Sequence, residues 1–339
     1  MFLPADRIPT KPDTVHAFLD HLRPAARVAH SAALVIGLIA RRLAIAVPTL
    51  LIVITLSFFM MRLAPGSPFE TGRKLTPEIE RNVMAHYGMD KPLIVQYANY
   101  MGGVARGDLG PSLKYQDKSV GELIADGLPK SAAIGLLALA IAIVVGGGLG
   151  IAAALRHNGR VDYFATTIAV LGVCIPTFVT APLLALLFAS WLGWLPTAGW
   201  GETSNLVLPV IVLALPQIAI ISRLMRAGMI EVMRSNFIRT ARAKGISPRR
   251  IVMRHALPAA LVPLVSYLGP ACAGLLTGSL VVEQIFAIPG VGRYFVISAL
   301  QRDYPVVMGV VILYSVLIIG LNLIADLVLA WLDPRARIA

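Results

Sequence analysis

The side chains able to do acid–base, nucleophilic or metal chemistry are few in this sequence, and they are scattered. The six histidines, His16, His21, His30, His86, His157 and His255, show no spacing that gathers metal ligands. Cys174 and Cys272 both sit in apolar runs and read as small packing residues, so neither a disulfide framework nor a cysteine-based zinc site is available. No Gly-Lys dipeptide occurs, and a P-loop needs one to cradle nucleotide phosphates. One ionisable group lies well inside an apolar run: Asp326, seven residues, or roughly 10 Å, before Asp333. A carboxylate at that depth is either paired with a neighbouring helix or the interface, or it serves a substrate or a proton.

The elements that must position these groups are membrane helices. Of the 339 residues, 57% are hydrophobic and 14% charged, against about 25% charged in an ordinary soluble domain. Mean hydropathy is +0.76. That balance excludes a soluble enzyme. Uncharged runs long enough for the roughly 20 residues that cross a bilayer occur at Leu43 to Met61, Ser131 to Leu155, Tyr163 to Gly201, Thr203 to Ser222, Ala259 to Val282 and Pro305 to Ala325, the last continuing to Leu332 past Asp326. The third run ends in Trp191, Trp194, Pro196 and Trp200, an aromatic belt and interfacial turn, so it is read as one helix with a loop. The result is an all-α polytopic membrane protein with six transmembrane helices.

Charge gives the orientation. With an inward N-terminus, 19 Lys and Arg fall on inner segments and 11 on outer ones, nine of the latter in the stretch from Arg62 to Lys130. Loops longer than about 60 residues report orientation poorly. Without that stretch the count is 19 against two, which places both termini inside. The net charge of +12 therefore follows the positive-inside pattern, and a nucleic-acid role is discarded. The first 30 residues carry Asp6, Asp13 and Asp20 and no long apolar stretch, unlike a cleaved leader. Ser31 to Ala40 is too short to cross and is read as a helix at the membrane surface, within a cytoplasmic extension of residues 1–40.

Prolines 176, 182, 209, 216, 263 and 270, with Gly146, Gly147, Gly148 and Gly150, lie inside the runs. They suit packing and kinks in any polytopic bundle, or helices that bend and rock during transport. Gly269, Gly274 and Gly278 offer close packing in the fifth run. The cytoplasmic loop at 229–258 has a distinct order. Ser235 or Asn236 can cap a short helix, Gly245 suits its left-handed stop, and Pro248 breaks the chain before a new start. A helix of roughly ten residues is too short to be stable alone in water and must dock. Phe237, Ala241 and Lys244 share one face with Ile238 beside them, and Arg239 and Arg242 add charge. From composition alone, the same loop also reads as a basic segment drawn to anionic lipid.

The stretch FIRTARAKGISPRRIVMRHALP, Phe237 to Pro258, resembles the EAA loop of binding-protein-dependent ABC transporter permeases, and its RTARAKG form resembles the oligopeptide, dipeptide and nickel branch. Family pattern positions fall on Arg239, Thr240, Ala241, Gly245, His255, Leu257 and Pro258, with Arg239, Thr240 and His255 departing from the usual residues. Arg41 to Leu43, Met61 to Phe69, Gly107 to Ser112, Leu268 to Ala271, Gly278 and Ser279, Glu283 to Gly292, and Arg302 to Tyr304 are also similar to that branch. The resemblance covers about 41–337, with 62–130 as an external loop.

It implies a type I ABC importer permease fold and a non-catalytic subunit of an ATP-hydrolysing translocase that imports oligopeptides. It implies as partners a second homologous permease, two ATPase subunits that bind ATP and Mg, and an external peptide-binding protein, in a bacterial inner membrane. It makes Phe237, Ile238, Arg239, Thr240, Ala241, Arg242, Ala243, Lys244 and Gly245 the ATPase-coupling helix. Glu283, at the outer end of the fifth span, could meet a peptide amino terminus, and with Asp326 it is a candidate pathway residue. Dipeptides, cell-wall peptides and nickel complexes stay open as substrates. An ion-coupled transporter would need more intramembrane charge than Asp326, a membrane enzyme would need a clustered acid, base or metal set, and a scaffold without a pathway would have no use for the coupling loop.

Overall fold

The computed structural model describes residues 12–63, 84–85, 88–115 and 117–332; for 12–36, 38, 278 and 330–332 it describes the backbone alone. Ala64 to Phe69 of the first outer motif therefore lie outside the described residues. Among the described residues five helical segments are long and apolar enough to cross a membrane, and a bent helix pair makes a sixth where it counts as one broken span.

Helix α1 (Pro12–Leu63) holds the first span, Ile39–Leu63. It corrects the expectation of a separate surface helix ending at Ala40, because the backbone continues unbroken through Arg41 and Arg42. Arginine is a good helix former, so the charges mark an interface without stopping the helix. Helix α2 (Leu93–Ala105) lies in the stretch read as an external loop.

Helix α3 (Val120–Leu155) begins at a capping box: Glu122 N donates to Ser119 Oγ at 3.2 Å, and Ser119 N donates to Glu122 Oε2 at 2.8 Å. At 36 residues it is roughly 54 Å long, so its first turns stand outside the bilayer. It packs along α6 (Ser204–Met233). A Cβ at Gly146 would lie 2.7 Å from Ile218 O, and one at Gly150 would lie 2.7 Å from the Met225 Cβ. These two glycines permit the close approach, whereas Gly147 and Gly148 face open space.

The third apolar run has the expected loop, at 192–203, but its helical part is broken in two. It forms α4 (Arg160–Cys174) and α5 (Thr177–Leu184), the latter continuing as a wider π-type turn at Ala185–Trp191, with a 101° bend between the pair. Pro176 causes the break, since it lacks an N–H and holds Ile175 extended at φ −91°, ψ 116°.

On the inner side, α7 (Asn236–Ala243) follows α6 directly. The chain turns at Gly245 and returns through α8 (Pro248–Arg250), a π-type turn at Ile251–Ala256, and α9 (Leu257–Ala260). Then come α10 (Val262–Gly278), α11 (Leu280–Ile285), α12 (Val291–Gln301) and α13 (Tyr304–Leu332). Gly269 lets α10 meet α13, where its Cβ would touch Ala325 Cβ at 2.6 Å, while Gly274 faces open space. One apolar core joins α3, α6, α7 and α10; a smaller one gathers Val120, Leu123, Val291, Val306 and Val310 around α3, α12 and α13.

Candidate functional site: the cytoplasmic coupling helix and its supports

Helix α7 has eight residues and presents two different faces. Ile238 is wholly buried and Ala241 is 8% exposed; both belong to the main core, together with Ile251, Ala256 and Met229. Phe237 is 50% exposed, and Arg239, Thr240, Arg242, Ala243 and Lys244 are exposed around the rest of the helix. The expectation that Ala241 shares an outward docking face with Phe237 is thus corrected. Gly245, at φ +74°, reverses the chain so that Ile251–Ala256 covers the Ile238 and Ala241 side.

Ser235 occupies the N-cap position, but its hydroxyl donates to Val232 O at 2.6 Å and makes no side-chain cap. The returning helical segment, Pro248–Ala256, adds exposed Arg249, Arg250 and Arg254 and an exposed Met253. An aromatic anchor ringed by cations suits a protein groove with acidic edges.

Behind this helix lies an ion pair not singled out from the sequence. Arg226, on the cytoplasmic extension of α6, donates through Nε to Asp162 Oδ1 and through Nη2 to Asp162 Oδ2 at 2.7 Å. Asp162 is 3% exposed and also accepts from Asn158 N at 2.9 Å, with His157 Nδ1 at 3.2 Å. The inner ends of α3, α4 and α6 are joined at one carboxylate. The available signal was an aspartate two residues after a basic turn; its partner, 64 positions later, has no local mark in the sequence.

On the opposite side, Glu283 is 0% exposed. It accepts from Ser279 Oγ at 2.5 Å and from Arg293 N at 3.1 Å, while Val291 N donates to Ser131 Oγ at 3.0 Å beside it. The carboxylate caps the first turn of α12. Gly290 and Gly292 are required there: a Cβ at Gly292 would lie 2.9 Å from Glu283 Oε2, and one at Gly290 would meet Ser131 Oγ at 2.6 Å. Glu283 is therefore enclosed by its own chain rather than presented to a peptide amino terminus.

Asp303, also 0% exposed, accepts from Ser112 Oγ at 2.5 Å, Leu113 N at 3.1 Å and Lys114 N at 3.2 Å, tying two outer motifs together. Near it, burial and then Asp303 push the Tyr115 phenol up, and burial with a hydrogen bond to Asp126 pushes Tyr294 up to about 12. Asp326 pairs with Arg42 at 2.7 Å, joining the inner ends of the first and last spans.

The model of the family described as binding-protein-dependent transport system inner membrane component matches residues 146–338, and that of its N-terminal part matches 35–134. The chain belongs to this family. It is a membrane-spanning permease subunit of an ABC importer, located in the inner membrane. Permease relatives include the oligopeptide transport system permease protein OppB of Haemophilus influenzae, 49% identical over 88% of this chain and 98% of that one. OppB of Escherichia coli K12 has the same identity and coverage. The dipeptide transport system permease protein DppB of Bacillus subtilis is 46% identical over 86% and 94%. Two inward-facing forms of the MetNI methionine ABC transporter are 18% identical, with TM-scores of 0.52 and 0.54 over 62% of this chain and 96% of theirs. At that identity they show the permease fold alone.

Proposed function

We propose that this permease carries oligopeptides inward, forming the pathway with a second homologous permease. Two ATPase subunits that bind ATP and Mg would sit on its cytoplasmic face, and an external binding protein would deliver the peptide. The observation that carries the coupling role is the half-exposed Phe237 on a short helix anchored into the permease core by Ile238 and Ala241. A helix held on one side and free on the other moves as part of the bundle when a partner moves it. ATP-driven closure of the ATPase pair would thus rock the spans between inward-facing and outward-facing arrangements, and hydrolysis would reset them. This chain's part is mechanical and non-catalytic.

The oligopeptide assignment draws on the two OppB relatives; the DppB relative of similar identity supports dipeptides as the second reading. The test is uptake by proteoliposomes holding the four-subunit transporter and its binding protein. Preference for tetra- and pentapeptides over dipeptides supports the first reading, and the reverse preference supports the second.

A further inference from the structure

We propose that α2 is a membrane-embedded helix, lying along the outer interface with Leu93 and Ile94 turned to the acyl chains of the outer leaflet. From Arg42 to Arg62 is 20 residues, roughly 30 Å of helix and so about the full hydrocarbon thickness. Thr55 lies seven residues below Arg62, roughly 10 Å into the membrane.

Tyr97 of α2 reaches that level. Its hydroxyl is 2.8 Å from Thr55 Oγ1. The single Thr55 proton is already donated to Leu51 O at 2.7 Å, so Tyr97 is the donor. The Tyr97 ring packs on Phe58 and Phe59, with centroids at 5.4 and 5.6 Å. A tyrosine extends several ångströms from its own backbone, which places the axis of α2 a few ångströms below the boundary, at the depth of an in-plane amphipathic helix.

The sequence of α2 suits that position. Its 13 residues carry no charge, while Lys91 and Arg106 bracket it and hold both ends at the water boundary. Leu93, Ile94, Tyr97, Met101 and Val104 fall on one face, with Asn99 opposite and Val95 near it; Gln96, at the margin, donates to Met89 O and Lys91 O. Ile94 is 77% exposed. Leu56 and Met60 of α1, next in sequence to Thr55 and Phe59 on which Tyr97 packs, are also exposed, at 58% and 71%. Apolar side chains left exposed on a helix held at that depth against the span Ile39–Leu63 meet acyl chains. The stretch that followed the first span as an external loop thus holds a part in the bilayer.

The test places a nitroxide at Ile94→Cys or Asn99→Cys, with Cys174 and Cys272 replaced by serine, in the assembled transporter in phosphatidylcholine–phosphatidylglycerol nanodiscs. Spin relaxation by oxygen, which concentrates in lipid, is compared with relaxation by a water-soluble nickel chelate. Oxygen should dominate at 94 and the chelate at 99. Dominance of the chelate at 94 would place the helix in water, and protection of 94 from both agents would place it under a protein partner; either overturns the proposal.

Discussion

Arg226 grips the Asp162 carboxylate with two nitrogens, Nε on Oδ1 and Nη2 on Oδ2 at 2.7 Å, across 64 residues of chain. The pair fixes the inner end of α4 to the helix that leads directly into the coupling segment.

Asp162→Asn should therefore loosen the inner end of the bundle. It removes a charge-assisted bidentate contact from a site that is 3% exposed on the aspartate side, a loss of about 1.5–3 kcal/mol. A lowered melting temperature in detergent is the expected readout. Arg226→Lys, with Asp162 intact, should lower it too, because an ammonium cannot reproduce the planar fork. An unchanged melting temperature for Asp162→Asn would remove the pair from the support of the bundle.

Ala241→Glu should fail at folding rather than at docking. Ala241 is 8% exposed within the main core, and an unpaired carboxylate there costs several kcal/mol. The amount of subunit recovered from membranes should fall, whereas Thr240→Glu, on the exposed side, should leave recovery intact. Equal recovery of both variants would contradict the placement of Ala241.

Glu283→Ala strands two donors, Ser279 Oγ and Arg293 N, in a closed site. Each unmet group costs about 1–3 kcal/mol. The folded fraction should fall, while the peptide concentration giving half-maximal uptake, measured on the folded fraction, stays unchanged. A selective loss of peptide affinity at full stability would restore Glu283 to the pathway.

Asp326→Asn should leave ATP-driven uptake within about twofold of normal. Its pair with Arg42 is partly exposed on both sides, and such pairs contribute about 0–1 kcal/mol. Abolished uptake, or uptake that follows a proton gradient without ATP, would favour an ion-coupled mechanism instead.

Much of this architecture is legible in the sequence, because its determinants are local. Apolar run length located the spans, and Ser235, Gly245 and Pro248 bracketed α7 closely. What the sequence hid depends on distant chain. Whether Ala241 faces outward depends on where Ile251–Ala256 returns, and Glu283 reads as available until Ser131 and Gly290 are seen around it. The bend at Pro176 was visible as a residue, but not as a 101° change of direction. Arg226 and Asp162 carry no motif at all.

The most direct test of the coupling account is ATP-dependent peptide uptake by proteoliposomes containing the complete transporter, comparing the native chain with Phe237→Ala. Half-exposed Phe237 contributes little to this chain's own core, so the variant should be recovered in normal amount. Uptake should fall at least tenfold, a loss of about 1.4 kcal/mol or more in coupling, with binding of the ATPase subunits weakened in parallel. Unchanged uptake and unchanged ATPase binding would show that α7 does not connect nucleotide chemistry to the membrane.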